Sequence, residues 1–328
     1  MIKILELFGG VGSPRVALRN IGIPVKAIDY VEIDEKAVRS YNAIFKNELK
    51  YKTQSVVNWD LKPDILIHGS PCQDFSIAGK QQGADPETET RSSLMWETIR
   101  IIQEMGEWKP RYVIWENVKN VLSKHMVHNF NRYLSEMQKM GYYNSFEVLD
   151  ARDFGLPQAR ERVFTISTLT GGPFEFDDLI RTPMKNINEY LTNDYESQHI
   201  VTQPSMLRAI GKKPRNFNGY VKVIKDYAMT ITTSQMRSPN SGVIKAPEGY
   251  RYLTELECWR LQGYSDEDFK AALSAHPGTP GKLNGALYKQ AGNSIPIPIF
   301  ESIFRKMILA ETQDSGQITL FKRGGDYN

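Results

Sequence analysis

The chain has 328 residues, of which 41% are hydrophobic and 24% are charged. These values are typical of a soluble globular protein with one large or two ordinary domains, and they exclude a disordered chain. We expect neither a signal peptide nor a membrane-spanning helix, and a cytoplasmic location. A net charge of +3 neither requires nor excludes a nucleic-acid partner. Two cysteines, Cys72 and Cys258, are too few for a disulfide framework or a metal cluster, so no metal is expected.

A glycine-rich turn follows the first predicted strand. The strand covers residues 2–7, and the turn at residues 8–12 leads into a helix that extends to Asn20. Glycine lets the backbone approach a ligand closely, but the turn lacks the last glycine of the dinucleotide-binding fingerprint. An ordinary strand-to-helix turn is therefore an equally good interpretation.

A second apolar run, residues 25–31, ends in Glu32. An acidic side chain at this distance from the glycines suits the paired hydroxyls of a ribose. The alternative is a carboxylate that begins the next helix, a role for which Asp34 and Glu35 compete.

The next segments predict the fold class. Strands near 64–68 and 111–116 alternate with helices near 92–107 and 128–140, and strands at 142–150 and 162–167 follow. This alternation is typical of a doubly wound α/β fold, with a mostly parallel sheet that is covered on both faces.

Four side chains with reactive or charged groups lie near the ends of these strands. Cys72 comes soon after the strand at 64–68, where a ligand would meet it, although most free cysteines are buried and inert. Glu116 reaches the same edge of the sheet and is a candidate acid. Arg160 and Arg162 enter a strand at alternate positions and should point the same way, although surface salt bridges are the simpler explanation.

The segment 200–247 is strongly basic. Its one acid, Asp226, stands against eight basic residues, which are Arg208, Lys212, Lys213, Arg215, Lys222, Lys225, Arg237 and Lys245. Such an excess favours a surface that faces phosphates, and the alternative is a solvated basic face. Further on, Thr254 and Glu257 form a capping box at the start of a helix, which makes Cys258 a core residue.

Six motifs in order resemble those of the cytosine-C5 DNA methyltransferase family. They are FGGVG at residues 8–12, PCQ at 71–73, ENV at 116–118, QARER at 158–162, and the segments 251–263 and 290–296. The resemblance covers nearly the whole chain. It implies a class I methyltransferase fold with a catalytic and cofactor-binding domain at residues 1–170 and about 284–312. A smaller target-recognition domain would cover 171–283, and 313–328 would be a tail.

The resemblance implies S-adenosylmethionine as the cofactor, with no metal. The residues implied for its site are Phe8, Gly9, Gly10, Gly12, Glu32, Ile33, Ser55, Val56, Pro71, Leu94, Asn293 and Ser294. Glu32 would hold the ribose hydroxyls. The chain departs from the family's pattern at Glu6 and Ser13, where many members have Asp and Gly. It also has Ser55 where an aspartate usually meets the adenine.

The resemblance also implies a reaction. Cys72 would add to carbon 6 of a flipped cytosine, Glu116 would act at N3 and Arg162 would bind O2, with Gln158 and Arg160 in support. Residues implied or expected to contact DNA are Ser76, Gln81, Gln82, Arg91, Lys212, Lys213, Arg215, Thr230 and Arg237.

The expected partner is duplex DNA, and a separate restriction endonuclease is a further candidate partner. We expect a monomer of restriction-modification or phage type, with no membrane contact. The alternatives are a tRNA cytosine-C5 methyltransferase and a catalytically silent DNA-binding relative.

Overall fold

The computed structural model describes residues 2–46, 50–57, 62–70, 94–212, 221–237 and 239–309. Its strands are β1 (Ile2–Leu7), β2 (Val25–Val31), β3 (Ile65–His68), β4 (Tyr112–Val118), β5 (Tyr143–Asp150), β6 (Gln158–Ala159), β7 (Glu161–Thr168), β8 (Ala228–Met229), β9 (Ile244–Ala246) and β10 (Gly249–Arg251). Its α-helices are α1 (Ser13–Asn20), α2 (Glu35–Ile44), α3 (Leu94–Glu104), α4 (Val127–Lys139), α5 (Pro204–Ala209), α6 (Glu255–Arg260), α7 (Asp266–Ala275), α8 (Gly285–Asn293) and α9 (Ile297–Phe304).

The central sheet has the strand order β2-β1-β3-β4-β7-β5. Its first four strands are parallel, and β7 runs antiparallel to both β4 and β5. The predicted mostly parallel α/β class is confirmed, and the antiparallel strand refines it. The connection from β5 to β7 is too short to hold a crossover helix, so the chain must return antiparallel.

Both faces of the sheet are covered, as the sequence predicts. Ile65 and Ile67 of β3 belong to one hydrophobic cluster, whereas Leu66 between them belongs to a second. Alternate residues of a strand point to opposite faces, so these two clusters are the two sides of the sheet. Helix α9 packs against α1 and α7 packs against α2 on the first side, while α3 and α4 pack together on the second.

The basic segment has a small core of its own. Val201, Val221, Val243 and Tyr252 form a separate buried cluster, to which β10 contributes the partly buried side chain of Tyr250. The helices that follow it contact the sheet-bearing part of the chain, since Arg19 of α1 pairs with Asp268 of α7 at 2.8 Å. The division into domains at residues 171 and 284 stays a prediction.

The helix ends follow local sequence signals. The predicted capping box is confirmed: the backbone N–H of Glu257 donates to Thr254 Oγ1 at 3.2 Å, and that of Thr254 donates to Glu257 Oε2 at 2.8 Å. Cys258 is fully buried in the core, and burial raises the pKa of its thiol. At the end of the described chain, α9 is followed by a π-helical turn at Arg305–Leu309. Within the described ranges, no helix is both long and apolar enough to cross a membrane.

Candidate active site

A groove lies at the carboxyl ends of β1 and β3, beside the glycine turn. About 350 Å³ of space, part of it open to solvent, separates its walls, and we call it the glycine groove. Five residues of the predicted cofactor site line it, namely Phe8, Gly9, Gly10, Asn293 and Ser294. The end of α8 therefore meets the glycine turn across a groove, although about 280 residues separate them in sequence. Sequence reasoning did not assign Ile67, Gly69 and Ile295 to this groove.

The glycines of the turn are required for different physical reasons. A Cβ at Gly9 would lie 2.6 Å from the ring of Tyr30, and one at Gly12 would lie 2.7 Å from the ring of Tyr41. Those two glycines therefore let aromatic rings pack behind the turn. Gly10 has φ +55°, and a Cβ there would meet no atom within 4 Å. It lines the open groove, where the lack of a side chain lets a ligand approach the turn closely.

Phe8 is the one non-glycine residue with positive φ in the described chain, at 57°. A bulky residue in the left-handed region is strained, and such strain persists where the surrounding structure fixes it. Here the neighbouring turn is tied down, because Tyr30 Oη donates to the Gly10 carbonyl at 2.5 Å and the Gly9 N–H donates to the Val31 carbonyl at 3.2 Å.

Glu32 is joined to the glycine turn and not to a helix start. Its carboxylate accepts hydrogen bonds from the backbone N–H groups of Gly10 at 3.0 Å, Ile33 at 2.8 Å and Asp34 at 2.9 Å. Asp34 caps α2 instead, by accepting from the N–H of Lys36 at 3.0 Å. Of the two interpretations that the sequence left open, the helix-start role belongs to Asp34.

The remaining described residues of the predicted cofactor site lie near Glu32 or Phe8. The backbone N–H of Gln54 donates to the Glu32 carbonyl at 2.8 Å, which brings the following residues, Ser55 and Val56, alongside. Ser55 Oγ accepts from the Val57 N–H at 3.2 Å, and Val56 is buried. Ile33 is 75% exposed. Leu94 packs against the same hydrophobic cluster as Phe8.

Glu6 is a buried acid in the wall of the glycine groove. It is 1% exposed, and its Oε2 accepts from Tyr41 Oη at 2.8 Å, which in turn accepts from the Arg15 guanidinium at 2.8 Å. Burial raises the pKa of Glu6 to about 7, against the opposing effect of the Arg15 charge. The sequence marked this position only as a departure from the family's Asp.

Glu116 lies at the carboxyl end of β4, the predicted edge of the sheet, and pairs there with Arg162 of β7. Arg162 Nε lies 3.1 Å from Glu116 Oε1, and Glu116 is only 9% exposed. Burial raises the pKa of Glu116, and the charges of Arg162 and Arg160 oppose that rise. A Cβ at Gly69 would lie 3.6 Å from Glu116 Oε2, so the carboxyl group stands over the residue that follows β3.

Arg160 and Gln158, in the QARER motif at residues 158–162, bind main chain from several distant segments. The buried Arg160 guanidinium donates to the carbonyls of Ile231 at 2.9 Å, Gly292 at 3.0 Å and Ser294 at 2.7 Å. Gln158 donates to the Leu261 carbonyl at 2.8 Å and accepts from the Ile231 N–H at 3.0 Å. Both side chains are thus fixed by main chain that is distant in sequence.

A second, wider opening lies beside Arg162, and we call it the Arg162 cleft. It encloses about 1420 Å³, including open solvent, between one wall from residues 118–123 and 150–162 and another from residues 227–230. Strand β8 pairs with β6, and Thr230 Oγ1 donates to the Ala159 carbonyl at 2.7 Å, so the predicted Thr230 lies at this cleft. Arg237 and Lys212 are exposed, and neither lines the cleft.

Several predicted residues lie outside the described residues. These are Pro71, Cys72, Ser76, Gln81, Gln82, Arg91, Lys213 and Arg215. The chain enters this segment from Ser70, which is buried and whose Oγ accepts from Trp115 Nε1 at 3.1 Å. Among the described residues there is no cluster of three or more His, Cys, Asp or Glu suited to a metal ion.

The fold is a doubly wound α/β sheet, and both openings lie at the carboxyl edge of its parallel strands, where ligands bind in such folds. A family model of C-5 cytosine-specific DNA methylase matches residues 2–309, and the chain belongs to this family of DNA methyltransferases. The type II methyltransferase M2.ScrFI of Lactococcus lactis subsp. cremoris is 30% identical over 384 residues, covering 95% of this chain and 100% of that protein. The type II methyltransferase M.Bsp6I of Bacillus sp. (strain RFL6) is also 30% identical, with 94% and 100% covered.

Solved structures of low sequence identity share the fold. The S. pombe Dnmt2 methyltransferase superimposes with a TM-score of 0.73 at 16% identity, covering 95% of this chain and 99% of that one. The Entamoeba histolytica methyltransferase EhMeth gives a TM-score of 0.72 at 18% identity, again covering 95% and 99%. At such identities the similarity concerns the fold alone.

Proposed function

We propose that this enzyme transfers a methyl group from S-adenosylmethionine to carbon 5 of cytosine within a specific duplex DNA sequence. The observation that carries the proposal is the buried Glu116–Arg162 pair beside the wide cleft. A carboxyl group with a raised pKa, next to a guanidinium, offers a proton donor and a fixed cation to one polar ring edge.

The glycine groove fits the cofactor. Gly10 has no side chain to obstruct a ligand. Among the described residues, Glu32 Oε2 accepts from the Gly10 N–H alone and keeps a lone pair for a ligand, whereas Oε1 accepts from two N–H groups. The carboxylate of Glu32 complements a positively charged ligand. When bound, S-adenosylmethionine supplies an electrophilic methyl group on a sulfonium.

Carbon 5 of cytosine is a poor nucleophile, and covalent catalysis overcomes this. The resemblance assigns to Cys72 the addition of its thiolate to carbon 6, which makes carbon 5 electron-rich. Glu116 holds or donates the proton at N3 while this charge develops, and Arg162 binds the O2 oxygen. Transfer of the methyl group would leave S-adenosylhomocysteine as the second product. Loss of the carbon 5 proton to a base then releases Cys72 and gives 5-methylcytosine.

The target base must leave the helix for this reaction. A thiolate attacks carbon 6 from the face of the ring, and in a duplex that face is stacked. The Arg162 cleft has room for an extruded nucleotide next to Glu116. Unstacking costs a few kcal/mol, which phosphate contacts from the basic segment would offset.

We infer a restriction-modification or phage-protection role. The similar proteins include type II methyltransferases, and one is an orphan methyltransferase, M.SPRI of Bacillus phage SPR, 24% identical with 94% of this chain covered. Duplex DNA is accordingly the proposed partner, and any restriction endonuclease would act separately.

The test uses the two cysteines as a matched pair. Cys72→Ala should abolish methyl transfer to duplex DNA while DNA binding persists, and Cys258→Ala, in the core, should retain turnover. Duplex DNA with 5-fluorocytosine in the methylated site should become irreversibly attached to the wild-type enzyme and not to Cys72→Ala. Turnover by Cys72→Ala would overturn the assignment of the nucleophile. Transfer to tRNA in place of duplex DNA would change the proposed substrate, and no transfer to either would indicate a silent relative.

A further inference from the structure

One cation at the Arg162 cleft is held by uncharged groups. The ammonium of Lys222 lies 4.0 Å from the centroid of the Tyr227 ring and 3.8 Å from Met229 Sδ. The Arg152 guanidinium lies 4.9 Å from the centroid of the same ring. Tyr227, Met229 and Arg152 all line the cleft, so Lys222 lies beside the wall that residues 227–230 form.

The other cations of this cleft are neutralised by carboxylates. Lys119 pairs with Glu161 at 2.9 Å, and Arg152 pairs with Asp150 at 2.6 Å. Arg162 pairs with Glu116, as described above. In the part of the chain that the structure describes, Lys222 forms no ion pair with any carboxylate. A ring face and a thioether orient an ammonium without cancelling its charge.

The main chain fixes this cation close to the proposed reaction centre. Met229 pairs with Ala159 in the β6–β8 ladder, three residues before Arg162. The backbone of Lys222 is also held in place, because its carbonyl accepts from the Val243 N–H at 2.9 Å. Its charge is therefore placed by two sets of backbone hydrogen bonds.

We propose that Lys222, held by Tyr227 and Met229, is a binding site for a backbone phosphate of the DNA strand that enters the Arg162 cleft. The inference rests on the proposed function, because it takes duplex DNA as the ligand. Lys222 has no carboxylate partner among the described residues, so its charge is available to a phosphate. At Lys119 or Arg152, a phosphate would first have to displace a carboxylate. A phosphate held there would keep the strand beside Glu116 and Arg162 while the base is out of the helix.

Lys46, just after α2, provides a control for the charge. It is exposed, and it lies outside the basic segment and outside the linings of both openings. We expect Lys222→Gln to weaken duplex binding by about five- to tenfold at low salt, and to reduce the slope of log K against log salt by about 0.9, the value for one phosphate. Lys46→Gln should leave the slope close to that of the wild type. Equal slopes for the two variants would overturn the proposal.

A second measurement uses the wild-type enzyme and does not depend on a variant that folds. Reductive methylation of lysine amines, read by mass spectrometry, should modify Lys222 in the free enzyme and be blocked there by duplex DNA, while Lys46 stays reactive. Equal modification of Lys222 with and without DNA would contradict the phosphate site. If the wild type neither binds nor methylates duplex DNA, it is the proposed function that fails.

Discussion

The glycine groove and the Arg162 cleft are built by different means. The groove gets its shape from main chain packed against aromatic rings: Tyr30 and Tyr41 occupy the space that side chains at Gly9 and Gly12 would need. The cleft gets its charge from ion pairs between segments, such as Glu116 with Arg162. The two openings therefore differ in origin: packing of the main chain shapes the groove, and ion pairs fix the positions of the charges that line the cleft.

Arg160 joins the two openings. Two of its three carbonyl partners, Gly292 and Ser294, lie at the end of α8, which lines the groove. The third, Ile231, directly follows Thr230, which lines the cleft. A single buried guanidinium therefore fixes both walls in one arrangement. This gives Arg160 a positioning role, whereas Arg162, two residues on, faces the cleft.

The largest expected effect is that of Arg160→Met, which breaks both openings. Three buried carbonyl groups would lose a charged donor, so we expect the free energy of unfolding to fall by about 4 kcal/mol. Urea denaturation measures this fall. Cofactor and DNA binding, measured by calorimetry, should weaken together. A variant that loses one kind of binding and keeps the other would show that the two walls are independent.

Glu6→Gln tests the groove alone through pH. The folded-state pKa of Glu6, about 7, lies above its ordinary value of 4.5, so its contribution to stability is complete below pH 4.5 and is lost as pH rises through 7. Glutamine removes this dependence. The unfolding free energy of the variant, relative to wild type, should rise by about 3 kcal/mol between pH 4.5 and pH 7. Urea titrations at several pH values measure it, and parallel curves for the two proteins would refute a raised pKa.

Arg162→Gln tests the cleft alone. We expect turnover to fall about 100-fold, since a fixed charge next to the reacting ring is lost, while S-adenosylmethionine binding in the groove is retained. Because the Arg162 charge opposes the rise in the pKa of Glu116, its removal should raise that pKa further. The alkaline limb of the residual pH–rate profile should then move to higher pH. Loss of cofactor binding in this variant would break the distinction between the openings.

The smallest expected effect is that of Thr230→Val, next to the pairing of β8 with β6. Loss of the hydrogen bond to the Ala159 carbonyl should cost about 1 kcal/mol of unfolding free energy. Duplex affinity should fall severalfold, and cofactor affinity should not change. Thr233→Val, at an exposed position in the same segment, is the control. Equal unfolding midpoints for the two variants would show that the Thr230 bond contributes nothing.

Much of the frame was readable from local sequence. The capping box at Thr254, the burial of Cys258 and the edge position of Glu116 each depend on residues a few places away, and the structure confirms them. The antiparallel direction of β7 was missed, although the short connection before it was a usable signal. The roles of Cys72 and of the loop after it stay predictions.

Local patterns in the amino-acid sequence predicted the six strands of the central sheet, the glycine turn and the family, because periodicity, capping and motif spacing are short-range properties. The folded structure was needed to show that Arg160 binds three carbonyls 71 to 134 residues away, that Glu32 binds the glycine turn, and that Lys222 rests on an aromatic ring. Partners at such separations are selected by packing and hydrogen-bond satisfaction across the whole fold, which no local pattern encodes.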